Sequence, residues 1–170
     1  RVNLSQNKPI KLVLRKIPEK KERAPGLDEG SRLYQEGKYA EAEDAFRKVL
    51  ENDPSNVDAQ YGLALSLLRS EKVDEAITLL EKVKNANPEM VELYLALGES
   101  YFIKDDPEKA LSFFSQAVDL DPNNAEVYYN IGIIHYQNNR IDRAIQNFQT
   151  SKNLDPEYAP VYYQLGLAFI

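Results

Sequence analysis

The chain has 170 residues, 43% of them hydrophobic and 28% charged, with no cysteine and no tryptophan. Its length allows one domain whose core needs no staples. The missing thiols exclude a disulfide framework, a cysteine nucleophile, a zinc ribbon and a thiolate-held iron–sulfur cluster, and they leave the compartment open. A mean hydropathy of −0.53, with no apolar run near the ~18 residues a membrane-spanning helix needs, excludes that class as well. Charge is unevenly spread: residues 1–25 hold eight Lys/Arg against Glu19 and Glu22, for +6, and residues 26–170 hold 13 against 25, for −12. An acidic body of that size repels nucleic-acid phosphates, so no nucleic-acid partner is expected.

Residues 1–25 form a basic arm or linker punctuated by Pro9, Pro18 and Pro25. Its apolar part runs from Ile10 to Ile17. Ile10, Val13, Leu14 and Ile17 fit a helical stripe, and Ile10, Leu12 and Leu14 fit a strand; eight residues do not decide between them. Three roles are open: a linker, a docking arm for this domain or a second copy, or a contact with an anionic membrane surface. Membrane contact is expected through this arm only.

From residue 26 onward the chain repeats itself. Asp53-Pro54, Asn87-Pro88, Asp121-Pro122 and Asp155-Pro156 recur every 34 residues. They set frames 23–56, 57–90, 91–124 and 125–158, with a fifth begun at 159. Twelve residues before each proline stands Ala42, Ala76, Ala110 or Ala144, and eight before it stands Phe46, Leu80, Phe114 or Phe148. Twenty-four before it stands Gly30, Ala64, Gly98 or Gly132, and Gly166 keeps that register.

Each frame reads as a pair of helices. Tyr94, Leu97, Gly98 and Tyr101 follow i, i+3, i+4, i+7 spacing, and Tyr128, Ile131, Gly132 and His135 repeat it. Turns fall at Glu36-Gly37-Lys38, Asp105-Asp106-Pro107 and Asn138-Asn139-Arg140. Gly37 and Asn139 suit a left-handed helix end, and Asp106 suits the cap before Pro107. The closing prolines stop the second helices, because proline lacks the N–H and disfavours helix in the residue before it. Gly26 and Glu29 replace apolar residues in the first frame, so its opening helix should be short or frayed.

These positions, and the stretch LYLALGESYFIKDDPEKALSFFSQAVDLDPNN in particular, resemble the tetratricopeptide repeat family over residues 26–170. The resemblance implies an all-α fold, an alpha–alpha superhelix of four helix pairs plus one further helix, preceded by the non-repeat arm. It also implies that the first helix of each pair lines a concave wall. The wall residues expected from it are Tyr61, Leu65 and Leu68; Glu92, Leu95, Glu99, Phe102 and Ile103; Glu126, Tyr129, Asn130, Ile133, Tyr136 and Gln137; and Tyr163 in the final helix. Asp58, Glu92 and Glu126 would make an acidic edge.

Chaperone-adaptor members of that family grip a terminal carboxylate with Lys, Asn and Arg. The matching positions here are Leu27, Ser31, Gly62, Glu92 and Ala96, and one frame on Tyr61, Leu65, Ala96, Glu126 and Asn130. Neither set can hold an anion. The expected ligand is therefore apolar with basic flanks.

Chemistry is not expected. His135 is the one histidine and lies in a packing stripe; Asp105, Asp106, Asp119 and Asp121 sit at helix ends, where acids cap or solvate. The glycines are scattered, whereas a phosphate loop needs them clustered before a lysine. No catalytic residue, metal or cofactor is expected. The leading reading is a non-catalytic scaffold that binds a protein or peptide partner. The alternative is a helper or oligomerisation domain of a larger enzyme or secretion and assembly machine whose active part lies beyond residue 170. A homodimer through the apolar last helix or through exchange of the arm is a further expectation.

Overall fold

A computed structural model describes residues 26–169; the arm, and every expectation placed on it, lies outside the described residues. Those residues form nine α-helices and no strand. They are α1 (Leu27–Gln35), α2 (Tyr39–Asn52), α3 (Val57–Arg69), α4 (Val73–Ala86), α5 (Val91–Ile103), α6 (Pro107–Leu120), α7 (Ala125–Gln137), α8 (Ile141–Leu154) and α9 (Ala159–Ala168). The opening helix has 9 residues, where α3, α5 and α7 have 13 each. It starts at Gly26, whose φ of 97° and missing side-chain cap mark a poor helix start.

The period of the sequence reappears atom by atom. Every turn inside a pair places one residue in the left-handed region: Gly37 at φ 77°, Glu71 at 63°, Asp105 at 61° and Asn139 at 56°. The following amide then reaches back to close the helix, as Lys38 N–H does to Leu33 C=O and Arg140 N–H to His135 C=O, both at 2.9 Å. Between pairs, Asp53, Asp121 and Asp155 each accept a hydrogen bond at Oδ1 from the amide two residues on, at 3.2, 3.0 and 2.9 Å. This is the turn that Asp side chains favour. Asn56 and Asn124 then cap α3 and α7 through Oδ1, accepting from the amides of Ala59 and Val127. Asp106 caps α6 the same way, with Pro107 at the first helical position.

Packing follows the glycine–phenylalanine register. A Cβ on Gly30 would come within 2.7 Å of the Phe46 ring, one on Gly98 within 2.5 Å of Phe114, and one on Gly132 within 2.5 Å of Phe148. These rings are almost wholly buried, so each glycine removes a methyl to let a ring lie flat on the helix. In the second frame the same two register positions hold Ala64 and Leu80, both fully buried. At Gly166 there is nothing within 4 Å.

Odd helices touch at three steps, α1 with α3, α3 with α5 and α7 with α9; α5 and α7 make no comparable contact, and neither do the even helices among themselves. In solenoids of stacked helix pairs, contacts of this kind set the odd helices on the inner side of the stack.

Candidate interaction surface

The wall is assembled from residues that recur every 34 positions on α3, α5, α7 and α9. Its acidic edge is Asp58, Glu92 and Glu126, each in the first turn of its helix. Acids are favoured there by the positive end of the helix dipole. The next row is Tyr61, Leu95, Tyr129 and Tyr163. Tyr61 Oη donates to Glu92 C=O at 3.3 Å, tying α3 to α5. Tyr129 packs against Phe148 at 5.9 Å and edge-on to Tyr158 at 5.4 Å. Burial raises its phenol pKa, against the lowering effect of a hydrogen bond with Gln164.

Exposure separates the expected wall residues into two groups. Tyr61, Leu65, Leu68, Leu95, Glu99 and Tyr129 are buried, and Leu65 and Leu68 belong to the main core cluster. Leu95 is 1% exposed, Glu99 2% and Leu68 5%. They lie where α3 and α5 meet their neighbours, and a leucine facing two helices at once has no open side. Phe102, Asn130, Ile133, Tyr136 and Glu126 are half-buried; Glu92, Ile103, Gln137 and Tyr163 are exposed. The Asn130 Nδ2 is buried without a hydrogen-bonding partner.

Two wall residues escaped the sequence reading. Arg69 Nε donates to Tyr34 Oη at 3.2 Å, across 35 residues, linking α3 to α1. Burial raises the Tyr34 pKa; Arg69 works against that rise and the nearby Glu99 charge adds to it. The signal was in the register: Tyr34 stands 34 residues before Leu68, and Arg69 stands 34 before Ile103.

Asp106 caps a helix and Asp121 shapes a turn. His135 is buried in helix packing with Nδ1 unpartnered, one frame after Tyr101, which stacks on Phe113 at 5.4 Å. Among the described residues no group of three His, Cys, Asp or Glu could hold a metal ion, and no helix is long and apolar enough to cross a membrane.

Nine helices in 34-residue pairs, curved around a wall of tyrosines and aliphatics with an acidic edge, define a helical-repeat solenoid. The chain belongs to the tetratricopeptide repeat family: two models described as tetratricopeptide repeat match residues 27–89 and 101–168. Solved structures agree. The chain is 28% identical to MamA from Desulfovibrio magneticus, covering 79% of this chain and 76% of that one at a TM-score of 0.72. It is 26% identical to YrrB, described as a protein of this family with an unusual peptide-binding site, covering 86% and 76% at a TM-score of 0.66. With PilF from Pseudomonas aeruginosa it shares the fold, at 22% identity and a TM-score of 0.76 over 84% of this chain and 65% of that one. No curated protein matches the chain. Membership supports a protein-binding role.

Proposed function

We propose that the chain is a non-catalytic interaction scaffold whose concave wall takes an apolar segment with basic flanks from a protein partner. The observation that carries this is the in-register acidic edge, Asp58, Glu92 and Glu126, in the first turns of α3, α5 and α7, with half-open or exposed Phe102, Ile103, Ile133 and Tyr136 two to three turns further along α5 and α7 and Tyr163 on α9. Tyrosine offers a large contact area for little lost rotamer entropy, and the acids select the sign of the partner. The peptide-binding site named for YrrB supports placing a peptide on a solenoid of this kind. The test is fluorescence anisotropy of labelled peptides with an apolar centre and either Lys/Arg or Asp/Glu flanks. Basic-flanked peptides are expected to bind, acidic-flanked ones are not, and Tyr136→Ala with Tyr163→Ala is expected to weaken binding about tenfold, or ~1.4 kcal/mol. Equal binding of both peptide classes overturns the reading.

A second reading, as a helper or assembly domain, draws on α9. Tyr162, Tyr163 and Phe169 are 48%, 60% and 67% exposed. Under this reading a second copy covers that face. Sedimentation then shows a dimer that Tyr162→Ser with Phe169→Ser dissolves; a monomer at all concentrations overturns it.

A further inference from the structure

We propose that residues 10–17 of this same chain are a built-in occupant of the concave wall and compete with the partner for it. The inference rests on the groove reading above and adds a regulator to it. Its first support is charge. The stretch 1–25 carries +6 and the remainder −12, and Lys11, Arg15 and Lys16 sit within an apolar run, Ile10 to Ile17, of the composition the wall was argued to select.

The second support is the tether. Eight residues separate Ile17 from Gly26, which stands at the start of α1, so the nine steps between them reach at most ~30 Å. A short link of that kind gives an effective concentration in the millimolar range. Weak pairwise contacts then suffice to keep the wall occupied until a tighter partner displaces the arm.

The experiment uses the full-length chain in two forms, native and Lys11→Glu/Arg15→Glu/Lys16→Glu. The probe is a labelled peptide of native sequence from Lys8 to Lys20. The arm-reversed chain is expected to bind it at least tenfold more tightly than the native chain at low salt, and the difference is expected to vanish at high salt, where charges are screened beyond about 3 Å. Adding Glu92→Lys/Glu126→Lys to the arm-reversed chain is expected to abolish binding. A circular-dichroism spectrum and urea midpoint like those of the native chain show that the doubly reversed chain is still folded. Equal binding to native and arm-reversed chains overturns the built-in occupant and leaves the scaffold reading intact. Binding that ignores Glu92 and Glu126 places the arm elsewhere, such as the groove of Glu29, Leu33, Glu41 and Asp44 between α1 and α2, and also overturns it. If neither chain binds any basic-flanked peptide, the scaffold reading fails first and takes this proposal with it.

Discussion

Gly98 lies so close under Phe114 that an added Cβ would stand 2.5 Å from the ring's Cε1. Gly98→Leu is therefore expected to destabilise by about 1–3 kcal/mol through overpacking. Gly37→Ala, at a left-handed turn with nothing within 4 Å, only strains the backbone and is expected to cost roughly 1 kcal/mol. Urea midpoints in the opposite order would contradict the packing. The equivalent positions one frame earlier hold Ala64 and Leu80, both fully buried, and supply a further check. Gly98→Ala and Phe114→Leu together rebuild that pair, so their combined cost is expected to fall short of the sum by about 0.5–3 kcal/mol.

Lys72 Nζ donates to Glu43 Oε2 at 2.7 Å, and the glutamate side chain is 5% exposed. Burial pushes the Glu43 pKa up, but hydrogen bonds from Lys72 and Ser70, with the charges of Lys72 and Arg47, leave it below its ordinary 4.5. A carboxyl lowered in the fold contributes stability that is present above the unfolded pKa and is lost as pH falls through the folded value. Lys72→Met removes the main counterweight to burial and is expected to cost about 1–3 kcal/mol near pH 7. The cost is expected to shrink below the ordinary 4.5, where the carboxyl is protonated when unfolded. A pH-independent loss, read from urea midpoints, would contradict the pairing.

His135 titrates in a separate window. Burial lowers its pKa from 6.5, and the charges of Arg140 and Arg143 push the same way. The unfolded chain thus binds a proton that the folded chain refuses, and stability is expected to fall as pH drops through 6.5 toward the lowered folded value. His135→Tyr, which copies Tyr101 one frame earlier, is expected to flatten that segment of the curve. Thermal melts above and below pH 6.5 check it; an unchanged slope would refute the role.

Asp106 Oδ1 accepts from the Lys109 amide at 3.1 Å. Asp106→Ala is expected to cost about 0.5–2 kcal/mol and Asp106→Asn much less, since asparagine caps as well. Calorimetry comparing the two separates the cap from the ion pair with Lys109, whose Nζ lies 3.2 Å from Asp106 Oδ2.

The architecture was legible in the sequence because it is periodic and local. Asp-Pro turns, the Ala42 and Phe46 register and the short first helix each depend on residues within one 34-residue frame, and local geometry repeats wherever the residues do. Other features were decided only by tertiary structure. Glu71 and Asp105 take the left-handed turn of Gly37 and Asn139 although glutamate does not favour it, because the next amide must still reach back to close its helix. The Glu43–Lys72 pair and the Tyr34–Arg69 bond span 29 and 35 residues and exist only when neighbouring frames stack. The same stacking sorts the wall. Leu95 and Ile103 lie on one face of α5, yet Leu95 is buried and Ile103 is 37% exposed. Periodicity assigns a residue to a face; how much of that face water reaches depends on the helices packed on either side.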